Sequence, residues 1–191
     1  MKSLTIGVLA LQGAVSEHLA QLQQLGVTAI AVKQIAQLAQ LDGIILPGGE
    51  STAIGKLMRN YGFIEALQQF ATNKAIFGTC AGMILLAKQL VGEEQAHLQL
   101  MDIEVQRNAF GRQVDSFQTE LHVKGIEQLV PAVFIRAPYI VKVGERVDIL
   151  ASYAEHPVLA RQGKLLACSF HPELTSDLSI LKLFLQECVA K

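Results

Sequence analysis

The chain has 191 residues, 51% of them hydrophobic, and a formal charge of −1. That suffices for one α/β domain with a sizeable core, taken as residues 1–191, and gives no charge-driven attraction to nucleic acid. With 6% aromatic residues and no basic patch, base stacking has little support, and no stretch is long and apolar enough to span a bilayer. Residues 4–11 form a near-continuous apolar run, the mark of a strand buried on both faces of a parallel sheet. The start, with one lysine and no small-residue cleavage site, reads as this strand and not as a leader. Val15, Leu19 and Leu22 fall at helical spacing and Gly26 ends that helix. Residues 27–32 and 43–46 give two further strands, and Ser51-Thr52 offers a cap for the next helix. Helices follow around 52–60 and 63–72, then a strand at 75–77 and a helix at 83–87. From about residue 98 the character changes to strand-like runs at 102–106, 118–123, 132–135 and 146–152. Arg161-Gln162-Gly163-Lys164 makes a hairpin turn ahead of 165–170. The last segment, 178–189, is an amphipathic helix begun by Ser176 or Asp177. The many glutamines, scattered over helix faces, read as solvated surface.

This order predicts an α/β fold: an open, mainly parallel sheet with helices on both faces and antiparallel additions in the second half. Ligands in such sheets sit at the carboxyl ends of the strands. The turns at Gln12-Gly13, Gly48-Gly49 and Cys80 all follow strands and so share that edge.

Gly78-Thr79-Cys80-Ala81-Gly82 lies between an apolar strand and a helix, with a glycine two residues to either side of Cys80. A nucleophile elbow needs that pattern, because side chains at those positions collide as strand and helix approach. The turn aims helix N–H groups at the sulfur, favouring thiolate and an oxyanion. Taken alone, the pattern fits a buried cysteine in a glycine-rich turn equally well. A cysteine attacking an amide needs a base and an orienter. His171 and Glu173, two apart, project to one side of extended chain, and Pro172 stiffens the link. His18, His97, His122 and His156 lack such a setting and read as exposed or structural. Pro47-Gly48-Gly49 lets backbone N–H groups approach a ligand closely, as an oxyanion hole requires, although an ordinary strand-to-helix loop has the same composition. It does not have the spacing of a phosphate loop.

Together these motifs resemble the class I, or triad, glutamine amidotransferases. Residues 47–52, 107–117, 134–138 and 170–174 resemble, within that family, the glutaminase subunits of pyridoxal 5′-phosphate synthases. The resemblance runs from Leu11-Gln12-Gly13-Ala14 to the final helix and implies a flavodoxin-like class I glutaminase domain. It implies that Cys80 attacks the side-chain amide of L-glutamine, with His171 and Glu173 as base and orienter. It places oxyanion donors near Gly48, Gly49 and Ala81, and the substrate against Gly49, Glu50, Ser51, Arg107, Ile135 and Arg136. Arg107 and Arg136 can hold a carboxylate with a fork of donors, or stand as surface residues. The implied partner is a separate synthase (lyase) subunit that receives the ammonia. Pyridoxal phosphate is then a product, and no cofactor is expected.

Three cysteines with no paired spacing suggest a reducing, cytoplasmic setting, with Cys168 and Cys188 in the core, and no spacing suggests a metal. Other readings are a glutaminase serving a different synthase, a cysteine hydrolase of similar fold, and a non-catalytic regulatory subunit. Segment 107–117 speaks against the first, and the His171–Glu173 pair against the second. Intact Cys80, His171 and Glu173 speak against the third.

Overall fold

The computed structural model describes residues 3–92, 95–108, 110 and 116–191. The chain alternates β1 (Thr5–Leu9), α1 (Val15–Gln24), β2 (Thr28–Val32), β3 (Gly43–Leu46), α2 (Ser51–Asn60), α3 (Phe63–Phe70), β4 (Ala75–Thr79) and α4 (Ala81–Leu86). It continues with β5 (Ala87–Leu90), β6 (Met101–Gln106), β7 (Ser116–Leu121), β8 (Val130–Ile135), β9 (Tyr139–Val143), β10 (Asp148–Tyr153), β11 (His156–Gln162), β12 (Leu165–Cys168) and α5 (Ser179–Phe184). The main sheet has the order β10-β11-β12-β4-β3-β1-β2. From β12 to β2 its strands are parallel, whereas β10 and β11 run antiparallel at one edge.

Burial on both faces explains the unbroken apolar runs. In β3, Ile44 and Leu46 enter one core and Ile45 the other; in β4, Ile76 faces away from Ala75 and Phe77. This is the period-two alternation of a strand with no wet side. The first core is closed by Ile54 and Met58 of α2, Phe63 and Leu67 of α3, and a small β5-β6-β9 sheet. The second is closed by Leu22 of α1, Phe184 of α5 and the β7-β8 ribbon, whose Phe134 is buried. The expected mainly parallel sheet, covered on both faces and with antiparallel additions, is therefore present.

Three strands depart from the sequence reading. The helix expected at 83–87 ends at Leu86, and the chain continues directly as β5. Lys88 and Gln89 are exposed there, so the four-residue strand carries no buried run to announce it. β9 presents most of its residues to solvent. β11 begins His156-Pro157, which reads as a turn, yet the proline lies beyond the last pairing with β12, Leu159↔Cys168. A proline there interrupts no ladder on that side. The turn before it is Ala154-Glu155, both at left-handed φ (48° and 67°), closing the Tyr153↔His156 pair. The hairpin expected at 161–164 forms, joining Gln162 and Leu165. The final helix is α5 followed by a π-helical turn at Leu185–Val189, with Asp177 accepting the Ser179 N–H at 2.8 Å. Among the described residues no helix is long and apolar enough to cross a membrane.

Candidate active site

Cys80 is the single residue between β4 and α4, held at φ 52° and ψ −104°. A non-glycine residue with positive φ is strained, and here the strain is fixed by packing on both sides. A Cβ on Gly78 would stand 2.4 Å from the backbone of Gly82, and one on Gly82 would stand 2.2 Å from the Leu46 carbonyl oxygen. The first clash is the expected one between strand and helix. The second is with the neighbouring strand β3, so α4 sits directly over the sheet edge. Cys80 is 7% exposed, and its Sγ lies 3.8 Å from the Ile135 carbonyl oxygen.

His171 follows β12 and is anchored by its N–H to the Val133 carbonyl of β8 at 2.8 Å. Pro172–Leu174 is a 3-10 turn and not the extended chain expected from the sequence. The turn folds Glu173 back so that His171 Nδ1 and Glu173 Oε1 are 2.6 Å apart. Burial alone pulls the His171 pKa down, but hydrogen bonds with Cys80 and Glu173 outweigh it and raise the pKa to about 10. Glu173 occupies Nδ1, which leaves Nε2 for the sulfur. The three side chains thus meet from elements far apart in sequence.

Cys80 and His171, but not the buried Glu173, open onto a cleft of about 440 Å³ lined by Gly49, Glu50, Ser51, Cys80, Ala81, Arg107, Ile135, Arg136 and His171, with Ile84 and Asn108. Every residue that the sequence reading assigned to substrate contact lies on it. Gly48 lies against the imidazole, since a Cβ there would be 2.5 Å from His171 Cε1. Asn108 (φ 45°) and Arg136 (φ 43°) share the left-handed backbone of Cys80. Glu50, and not Ser51 or Thr52, caps α2: its carboxylate accepts the N–H groups of Thr52 at 3.1 Å and Ala53 at 2.7 Å. Burial opposes ionisation of Glu50, but these bonds and Arg107, whose Nη2 is 3.5 Å away, together outweigh it and hold its pKa below the usual value. Of segment 107–117, Arg112 and its neighbours at 111–115, as well as Ala109, lie outside the described residues.

The turns at Gln12-Gly13 and Gly48-Gly49 share the Cys80 edge. Ala14 N–H bonds the Gly48 carbonyl at 3.0 Å, and Glu50 N–H bonds Gln12 Oε1 at 2.9 Å. In α1, His18 is structural, one of the two settings expected of it, whereas Gln21, read as solvated surface, is buried. His18 is 1% exposed, and Gln21, 5% exposed, donates to the carbonyls of Pro172 and Thr175 at 2.9 and 3.0 Å. The signal was available, because 15, 18 and 22 follow a helical stripe, but a polar residue on it reads as surface. Cys168 and Cys188 are core residues as expected.

The profile of the SNO glutamine amidotransferase family matches residues 8–190. The chain belongs to that family. This amidotransferase is 64% identical over 187 residues to a protein of Pasteurella multocida (strain Pm70) named pyridoxal 5′-phosphate synthase subunit PdxT, with 97% of each chain covered. A protein of the same name from Niallia circulans is 60% identical over 181 residues, covering 94% of this amidotransferase and 95% of the relative. Among solved structures, one described as a glutamine amidotransferase superposes with a TM-score of 0.92 at 48% identity, covering 96% of this chain and 98% of its own. PurLQS from Thermotoga maritima shares the fold, with a TM-score of 0.73 at 17% identity over 97% of this chain and 99% of that one.

Proposed function

We propose that this amidotransferase is the glutaminase subunit of a pyridoxal 5′-phosphate synthase. In this reading it hydrolyses L-glutamine to L-glutamate and ammonia and hands the ammonia to a separate synthase subunit, in the cytoplasm. The observation that carries the chemistry is the meeting of Cys80 and His171 on one cleft, with buried Glu173 holding the imidazole from behind. The choice of synthase rests on near-full-length similarity to relatives of that name.

The thiolate of Cys80 attacks the side-chain carbonyl carbon of glutamine, forming an S–C bond. Backbone N–H groups near Gly48, Gly49 and Ala81 hold the oxyanion. His171 gives its proton to the amide nitrogen as the C–N bond breaks, and ammonia leaves. Acylation removes the thiolate, one of the partners that raises the His171 pKa. The imidazole is then a better base for taking a proton from water. Water adds to the thioester, the S–C bond breaks, and the sulfur leaves as thiolate beside protonated His171, which restores the starting pair while the new carboxyl group gives its proton to solvent. Glu173 keeps the ring aligned through both halves. Arg107 and Arg136 supply cations to the glutamine α-carboxylate at the cleft rim.

Amide-¹⁵N glutamine given to the chain with a synthase subunit, pentose phosphate and triose phosphate tests this. Label should enter pyridoxal 5′-phosphate in step with glutamate release. A confirmed complex that releases no glutamate overturns the reading.

A further inference from the structure

Glu173 is held between two imidazoles. Oε1 meets His171, while Oε2 is fully buried and accepts no hydrogen bond from any described residue. The group closest to it among the ion-pair contacts is His18 Nε2, 3.6 Å away, and the same nitrogen is 3.1 Å from Thr79 Oγ1. Thr79 directly precedes Cys80, so His18 touches Glu173 and the residue next to the nucleophile from behind. A buried carboxylate oxygen without a donor is costly, which makes the protonation state of His18 decisive.

Three states are open to that ring. With its proton on Nδ1, it would aim the Nε2 lone pair at a carboxylate oxygen, which is repulsive. Doubly protonated, it would place a second cation on a carboxylate that already serves His171, and burial opposes that charge. With its proton on Nε2 alone, it directs an N–H dipole between Thr79 Oγ1 and Glu173 Oε2. Only the last suits every neighbour. Gln21, one turn on along α1, pins the 3-10 turn that carries Glu173.

We propose that His18 is a positioning residue, a neutral Nε2–H imidazole that, with Thr79 and Gln21, fixes the Glu173 carboxylate so that Oε1 faces His171. The inference rests on the Cys80–His171–Glu173 reading above.

The test compares the wild-type chain with His18→Phe and His18→Gln, each assembled with its synthase subunit. Phenylalanine keeps a planar ring, somewhat larger than imidazole, and removes the N–H, whereas glutamine restores a donor. His18→Phe should lower kcat by about ten- to a hundredfold, the usual cost of losing an orienting partner, with KM little changed. The alkaline limb of its kcat profile should move to lower pH, as His171 loses a well-placed carboxylate. His18→Gln should recover most of the rate. A folded His18→Phe with wild-type kcat and pH profile overturns the proposal. Should His18→Phe not fold, the imidazole ¹⁵N spectrum of the wild-type chain decides: an Nδ1–H tautomer or an imidazolium at His18 near pH 7 overturns it. Cys80→Ala and His171→Asn are measured alongside. Activity in either refutes the triad reading itself, whereas inactivity in both beside a wild-type-like His18→Phe refutes only the positioning role.

Discussion

Glu50 donates its backbone N–H to the side-chain carbonyl of Gln12 at 2.9 Å, tying the loop after β1 to the Pro47-Gly48-Gly49 turn after β3. A second bond, Ala14 N–H to Gly48 carbonyl at 3.0 Å, runs between the same loops. A trans peptide carries its C=O and N–H on opposite sides, so the Gly49 N–H points away from the β1 loop. The loop proposed to hold the oxyanion is therefore set by its neighbour, and a partner docking on one acts on the other.

Partner dependence of the activity follows. The isolated chain should hydrolyse glutamine slowly, and the synthase subunit should accelerate it by roughly 5–150-fold, the span of a typical coupling between sites. Gln12→Ala should weaken that stimulation without preventing folding. Equal rates with and without a saturating partner would show that the loops are already organised.

Covalent labelling should be selective. A glutamine-like electrophile should modify Cys80 and spare Cys168 and Cys188, which are buried in the core. Burial pushes the Cys168 thiol well up and Cys188 up to about 11, so both stay protonated near neutrality. Mass spectrometry after digestion reads the site, and labelling that persists in Cys80→Ala rules the assignment out. That variant should lose about 10³-fold or more in turnover.

The pH dependence is set by His171. Its pKa is raised from 6.5 to about 10, so the folded chain binds this proton more tightly than the unfolded one. The associated stability is complete below pH 6.5 and is lost as pH rises through about 10. Turnover limited by ammonia departure should fall over the same alkaline range. Glu173→Gln removes one of the partners that raise the pKa, so its alkaline limb should shift downward with weak residual activity, whereas His171→Asn should be inactive. An unshifted limb in Glu173→Gln would deny the carboxylate its electrostatic role.

Close packing at the elbow makes Gly78→Ala and Gly82→Ala destabilising. Each new Cβ would meet backbone and not a movable side chain. The cost should be about 1–3 kcal/mol or more, as for other overpacked sites. Gly163→Ala has nothing within 4 Å and only the strain of φ +58°, which costs about 1–2 kcal/mol. Urea unfolding of the three variants checks the order.

The sequence alone determined the features that are local in the chain. Unbroken apolar runs in β1, β3 and β4 announced two-sided burial, and the spacing of Gly78, Cys80 and Gly82 announced a strained turn. Both are encoded within a few residues by sterics and hydrophobicity. Likewise His171 and Glu173 were readable as a pair, although the 3-10 turn that joins them was not. Contacts across 61 and 155 residues were another matter: whether His18 met solvent, Thr79 or Glu173 depended on where α1 packed. Nor could the pattern separate Glu50 from Ser51 as the cap of α2, since both are acceptors at the right place. Strands β5, β9 and β11 stayed hidden because half-exposed or proline-bearing residues carry little periodic signal. Only the tertiary structure decided these, because burial and partner choice are properties of the packed chain and not of any short segment.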